Sequence, residues 1–364
     1  MQALLLAAGV AICLLTADSV IRTLIVPRGI TSRWSVWIST AVVGAFRNVA
    51  CRTRSYASRD RVLAPAAPVV IILLLFSWLM LFMLGFALIL MVTGGLAFGD
   101  AWHESGSSLL TLGFAWSGRV QLSTVDFIAA ATGPILIGLL IGYLPALYGA
   151  YNRRERMVTL MHARASEPNW GPEVLARQAL LGTLRELPSF WGEWEHWAAD
   201  VSESHSSYPI LIAFRSTKPR RNWAVALLAA MDAAALQLSV APSLPQGSAR
   251  MMLRQGMACM HDLADMIGLT SDVDPVLAEP RPDLVTLTRS EFDDAVDRLV
   301  ESGFPCERTG EEAWLLFRQW RSFYEVQAYY LCDRINAVPA PWSGPRTPPL
   351  PVEKPTTLIH RTVE

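Results

Sequence analysis

The sequence predicts an all-α membrane protein with three transmembrane helices, a re-entrant segment and a cytoplasmic helical domain. Three observations predict it. The 364-residue chain is only 17% charged, although 52% of it is hydrophobic. An ordinary globular domain carries about 25% charged residues. The long apolar runs lie almost entirely within residues 1–151, and the mean hydropathy of the whole chain is still +0.30. Arginines stand beyond one end of the two longest runs and acids beyond the other. The same composition excludes other classes. A formal net charge of -1 gives no footprint for nucleic acid. The five cysteines (Cys13, Cys51, Cys259, Cys306, Cys332) are far apart and form no CxxC pair. No zinc site, metal or disulfide framework is expected.

Residues 1–66 form the first region. Met1 to Ala17 is uncharged, and Asp18 and Arg22 then interrupt an apolar stretch that ends at Val26. A cleaved signal peptide carries its positive charge before the apolar run. Here Arg22, Arg28 and Arg33 come after it, so residues 1–26 are read as a retained helix with its N-terminus outside. Trp34 to Ala50 is too short to span comfortably. It is expected as an interfacial helix with Trp34 and Trp37 at headgroup depth.

The second region is 67–151. Val69 to Phe98 holds 30 uncharged residues and Phe127 to Tyr151 holds 25. A helix needs about 20 to cross the hydrocarbon core. Segment 22–61 has eight arginines against Asp60, and 152–164 has four against Glu155. The stretch 99–126 has Asp100, Glu104 and Asp126 against Arg119. By the positive-inside rule, 22–61 and the chain after 152 are cytoplasmic, and 99–126 faces outside.

That outer connection is too long for a turn and too short for a domain. Its middle, Ser107 to Phe114, is uncharged and mostly apolar or small. Such a segment can dip into a bilayer if protein shields its backbone. A short helix over about 101–110, flanked by Trp102, would lead to Thr111-Leu112-Gly113-Phe114-Ala115. This order of helix, short helix, Thr-x-Gly-aromatic and helix resembles the pore module of the potassium-channel superfamily. There a Thr-Val-Gly-Tyr-Gly filter replaces the ion's hydration shell with carbonyl oxygens. The resemblance covers residues 67–151. It implies that Thr111, Leu112, Gly113, Phe114 and Ala115 form a divergent filter. Gly113 would supply positive φ, and Phe114 would brace the filter from behind. Ala115 stands where the family has a second glycine, and Trp116 where it usually has an acid. The resemblance further implies a hinge in the last helix, at Gly138 and Gly142, which also form a small-xxx-small pair. One loop per chain supplies a quarter of a filter, so it implies a homo-tetramer passing a monovalent cation.

Residues 152–337 read as a cytoplasmic helical domain. Arg153–Ala165 continues the last membrane helix, and Ser166-Glu167-Pro168 breaks it. Trp191, Trp194 and Trp197 recur on one helix face and are expected in the core. Asp200–Pro209 is expected as a solvated loop or cap, and Ile210–Phe214 as a strand or a helix end. Trp223–Val240 holds Asp232 at its centre and reads as a buried helix. Ala249–Ile267 and Ser290–Ser302 read as amphipathic helices, the second capped by Thr288 or Ser290. Glu311–Ile335 reads as one long helix. Residues 338–364 are proline-rich and are expected as a disordered tail.

No GxSxG, P-loop or dinucleotide fingerprint is present, and neither an enzyme nor a cofactor is expected. Two functions fit: a tetrameric cation channel with a cytoplasmic regulatory domain, or a non-conducting membrane anchor that presents the helical domain to partners.

Overall fold

A computed structural model describes residues 1–26, 32–269 and 279–345. The described residues are helical with no strand. Among the described residues four helices are long and apolar enough to cross a membrane. The chain divides into two compact units, residues 1–47 with 65–149 and residues 48–64 with 150–364.

The first unit is built from α1 (Gln2–Leu24), α2 (Arg33–Ala50), α4 (Ala66–Gly94), α5 (Phe98–Leu109) and the first part of α6 (Ser123–Ala165); α3 (Tyr56–Leu63) lies in the second. Helix α1 packs along α4. The two can approach because glycine faces glycine. A Cβ on Gly9 would lie 2.8 Å from the Gly85 carbonyl oxygen, and one on Gly85 would lie 2.5 Å from Cys13 Sγ. Small residues allow this contact, and the close approach adds dispersion attraction between the two helices.

A hydroxyl cluster closes the other end of that contact. Ser19 and Ser32 are bonded at 2.6 Å, Ser32 and Ser35 at 2.9 Å, and Thr23 and Ser35 at 2.8 Å. Trp78 Nε1 donates to Ser19 Oγ at 3.0 Å. Ser32 Oγ also accepts from the Ser35 backbone and caps the start of α2. Trp34 Nε1 donates to Ser77 Oγ at 3.0 Å, which fixes α2 beside α4, and the Trp34 and Trp37 rings stack at 5.4 Å.

The second unit surrounds α9 (Trp223–Val240). Every residue of α9 is buried, although its length and composition would suit a span. The helices α7 (Gly171–Leu180), α10 (Gly247–Met266), α12 (Gly310–Arg321) and α13 (Glu325–Arg334) pack against it. Helix α8 (Leu187–Ser207) packs along α10, and α11 (Arg289–Glu301) packs on α7. Trp191, Trp194 and Trp197 are buried as expected, and Trp191 Nε1 donates to Gln237 at 2.8 Å. Asp232, at the centre of α9, accepts from Arg321 at 2.5 Å and from the Tyr324 hydroxyl at 2.8 Å. Arg321 in turn bonds Glu325, the Tyr329 hydroxyl and the Trp342 carbonyl. A buried charge persists when it is paired and its remaining donors are satisfied.

Several expectations are corrected here. The stretch Asp200–Ser207 is the end of α8 rather than a solvated loop, and His205 is buried. Its Nε2 faces Arg154 Nη1 at 3.1 Å and its Nδ1 faces the Val201 carbonyl at 2.8 Å. Ile210–Phe214 is mostly a short 3-10 turn, Pro209–Ala213. The expected helix over 311–335 is two helices. The break at 322–324 turns the chain so that Arg321 and Tyr324 both reach Asp232. Of the two caps expected for α11, Thr288 serves, in a full capping box with Glu291. The disordered tail expected from 338 does not hold for residues 338–345, where Val338, Ala340, Trp342 and Ser343 are buried. Trp342 packs on Trp170 and Phe317. Residues 346–364 of that expectation, and Arg28, lie outside the described residues.

Candidate functional site

The site is the segment between α4 and α6. Helix α4 ends at Gly95, whose φ of +60° turns the chain back. Helix α5 then runs along α4. Ser105 Oγ donates to the Met83 carbonyl at 2.8 Å, and Gly106 lies so close that a Cβ there would sit 2.8 Å from the Met83 methyl. Met83 is 11 residues back from Gly94, or about 16 Å along the helix at 1.5 Å per residue. On the other side, a Cβ on Gly133 would lie 1.9 Å from the Leu109 carbonyl oxygen. Gly133 is ten residues into α6, about 15 Å. The C-terminal end of α5 therefore lies level with the middle of α4 and partway down α6.

The turn after α5 caps its own helix. The N–H groups of Leu110, Thr111 and Leu112 donate to the carbonyls of Gly106, Ser108 and Ser107 at 2.8–3.0 Å. This wrap needs left-handed backbone at Thr111 (φ 54°) and Gly113 (φ 69°). Glycine takes that conformation without cost. For β-branched Thr111 it is a true outlier, of a kind that collects at functional segments. Glu104 is buried, and its Oε1 accepts from the Ser117 N–H at 3.2 Å and from the Ser117 hydroxyl at 2.9 Å. Ser108 Oγ donates to Asp126 at 3.0 Å, which ties α5 to the start of α6. An open pocket of about 420 Å³ lies here, lined by Ser107, Ser108, Thr111, Gly113 and Asp126 among others.

The structure brings Thr111–Ala115 together as one exposed turn beside the α5 C-terminus. It does not reproduce every feature that the resemblance implied. Phe114 is 68% exposed and braces nothing within the chain. Ala115 does not take positive φ; its N–H donates to Ser107 Oγ at 3.0 Å, and the next left-handed residue is Gly118 (φ 74°). Trp102 packs with Phe98 at 5.8 Å on the shielded side of α5. Gly138 and Gly142 lie on an unbroken helix with nothing within 4 Å of an added Cβ, so they serve no close packing inside the chain. The close glycine is Gly133, next to Pro134. Glu104 and Asp126 were counted in the sequence only as outer charges. The hydroxyl partner of Asp126, Ser108, sits in the small-residue run Ser105–Ser108, a signal that could have found it, whereas that of Glu104 is Ser117, 13 positions on, and has no such signal.

Among the described residues no group of three or more His, Cys, Asp or Glu side chains could hold a metal. No protein family, curated protein or solved structure matches the chain.

Proposed function

We propose that the protein is a pore-loop cation channel in which four chains line one path, with Thr111–Ala115 as a divergent filter. The observation that carries this reading is the depth of α5. A helix that returns about 16 Å beside two apolar helices ends near the middle of a ~30 Å hydrocarbon core. Helix α5 packs along α4 and its end meets α6. The irregular turn Thr111–Phe114 is exposed within one chain, so in this reading neighbouring chains shield it at membrane depth. The C-terminal end of a helix carries partial negative charge and favours a cation. The strained Thr111 and the left-handed Gly113 follow directly after that end. The exposure of Leu112 and Phe114 leaves them for neighbouring chains. The arginine pattern supports a loop on the outer side and a cytoplasmic helical domain that regulates or assembles the channel.

A second reading has its own observation. Ala115 lacks the left-handed backbone of a second filter glycine, which favours a non-conducting anchor that keeps this architecture. Flux of monovalent cations into liposomes holding the purified protein separates the two. The channel reading expects flux that Gly113→Pro abolishes while the tetramer survives. A stable tetramer without flux, or a monomer, refutes it.

A further inference from the structure

Within the second unit, three separate chain segments meet around Arg215. The Arg215 guanidinium bonds Asp60 of α3 and the carbonyls of Ile335 and Asn336. The Tyr151 hydroxyl of α6 donates to the Arg215 carbonyl at 3.1 Å. The stretch just before α4, the continuation of α6 and the 215–221 loop are therefore neighbours. Each brings cations. Arg52, Arg54 and Arg61 lie around α3, Arg156 lies on α6 and Lys218 in the loop, and all five are exposed. The acids nearby are occupied: Asp60 by Arg215, Glu155 by Arg154 at 2.9 Å, and Asp200 by Arg153 at 3.0 Å. A further cation, Arg59, is 5% exposed and its Nε–H has no hydrogen-bond partner. The ring of Tyr56 lies under its guanidinium at 5.3 Å.

These charges stand where the apolar runs stop. Arg61 precedes the run that begins at Val69, and Arg156 follows the run that ends at Tyr151. In a bilayer these positions fall at the headgroup layer, which adds some 5–7 Å on each side of the core. We propose that this basic rim binds the phosphate headgroups of anionic lipids in the leaflet next to the helical domain. The phosphate supplies what the structure leaves open: acceptors for five exposed cations whose nearby acids are already paired. The proposal rests on the membrane reading of the apolar helices and is independent of conduction.

The full chain is reconstituted in vesicles of equal parts phosphatidylcholine and phosphatidylglycerol and extracted in neutral detergent, and the headgroups it retains are counted. Phosphatidylglycerol is expected to be enriched, and excess inorganic phosphate should not displace it. Each basic residue near an anionic surface contributes about 1 kcal/mol, roughly fivefold in affinity. R52Q/R54Q/R61Q should therefore weaken retention on the order of 100-fold, while R52K/R54K/R61K retains it. Equal retention of the two lipids, displacement by inorganic phosphate, or full retention by a Gln variant with unchanged helical content overturns the proposal. Cation flux is not read in this experiment, so a failed channel leaves the lipid result standing.

Discussion

Gly133→Ala puts one methyl group against the Leu109 carbonyl, and its effect follows from the geometry. The added Cβ would lie 1.9 Å from the oxygen, where ordinary contact begins at 3.4 Å. One of the two helices must move by roughly 1.5 Å, and neither obstacle is the flexible end of a side chain. Overpacking of this kind costs about 1–3 kcal/mol and occasionally more. The control is Gly138→Ala on the same helix, where nothing lies within 4 Å. There alanine should stabilise α6 by about 0.5–1 kcal/mol, since glycine is the poorer helix former. Thermal unfolding in detergent reads both: Gly133→Ala should melt below the parent protein and Gly138→Ala at or above it. In liposomes, Gly133→Ala should also reduce any flux, because it displaces the helix that leads into Thr111–Ala115. If both variants melt with the parent, α5 does not end against Gly133, and the depth argument for the re-entrant segment fails.

Other expectations follow from buried polar groups. Asp232→Ala leaves Arg321 buried with Glu325 as its remaining carboxylate, and should cost about 3–5 kcal/mol. Denaturant unfolding should show the double variant D232A/R321M recovering part of that loss; a double variant worse than the sum of the two single changes refutes the pairing. His205 must be neutral, because Arg154 can only donate, so Nε2 accepts and Nδ1–H donates to Val201. Burial, and then the neighbouring Arg154, hold its imidazole well below the ordinary 6.5. The unfolded chain therefore binds a proton below about pH 6.5 that the folded chain does not. Stability should fall as pH drops below that point and be flat above it with respect to this group. His205→Gln should flatten the acid limb of a melting-temperature profile, and an unchanged limb contradicts the assignment. Glu104→Ala removes the one carboxylate oxygen that accepts from both the N–H and the hydroxyl of Ser117, so amide exchange at Ser117 should speed up while α9 stays protected. Unchanged exchange at Ser117 speaks against the tether.

The helices of the first unit were legible because a bilayer leaves few choices. A run such as Val69–Phe98 can satisfy its backbone in lipid only as a helix, and arginine placement orders such runs without any knowledge of contacts. The helices of the second unit were legible where a local signal acts, such as the capping box at Thr288 or the tryptophan face of α8. Misreadings arose where a distant partner decided the local structure. The break after Arg321 looks like uninterrupted helix in sequence. It exists because Arg321 and Tyr324 both turn towards Asp232, about 90 positions earlier. Trp342 sat in a proline-rich stretch that composition assigns to a tail. Its carbonyl is fixed by Arg321, and its ring fills a place between Trp170 and Phe317.

The same distinction explains why the candidate filter was found while its supports were missed. Thr111–Ala115 is a contiguous string between two spans, and a string can be matched by eye. Its supports are single atoms brought in from elsewhere: the Met83 carbonyl under Ser105, the Asp126 carboxylate on Ser108, and the missing Cβ of Gly133 over Leu109. None has a motif, because each needs only a small residue or a polar atom at one depth. The supports also separate a re-entrant loop from a surface cap better than the string does. A loop that merely capped the outer surface would have no reason to bury its leading helix 11 residues down α4, nor to hold a β-branched residue at positive φ. Such strain persists only where surrounding contacts over-determine it. Here those contacts run from α5 to α4 and α6. Loosening them through Glu104 or Gly133, with Thr111–Ala115 untouched, therefore tests whether the geometry of the turn, rather than its composition, carries the function.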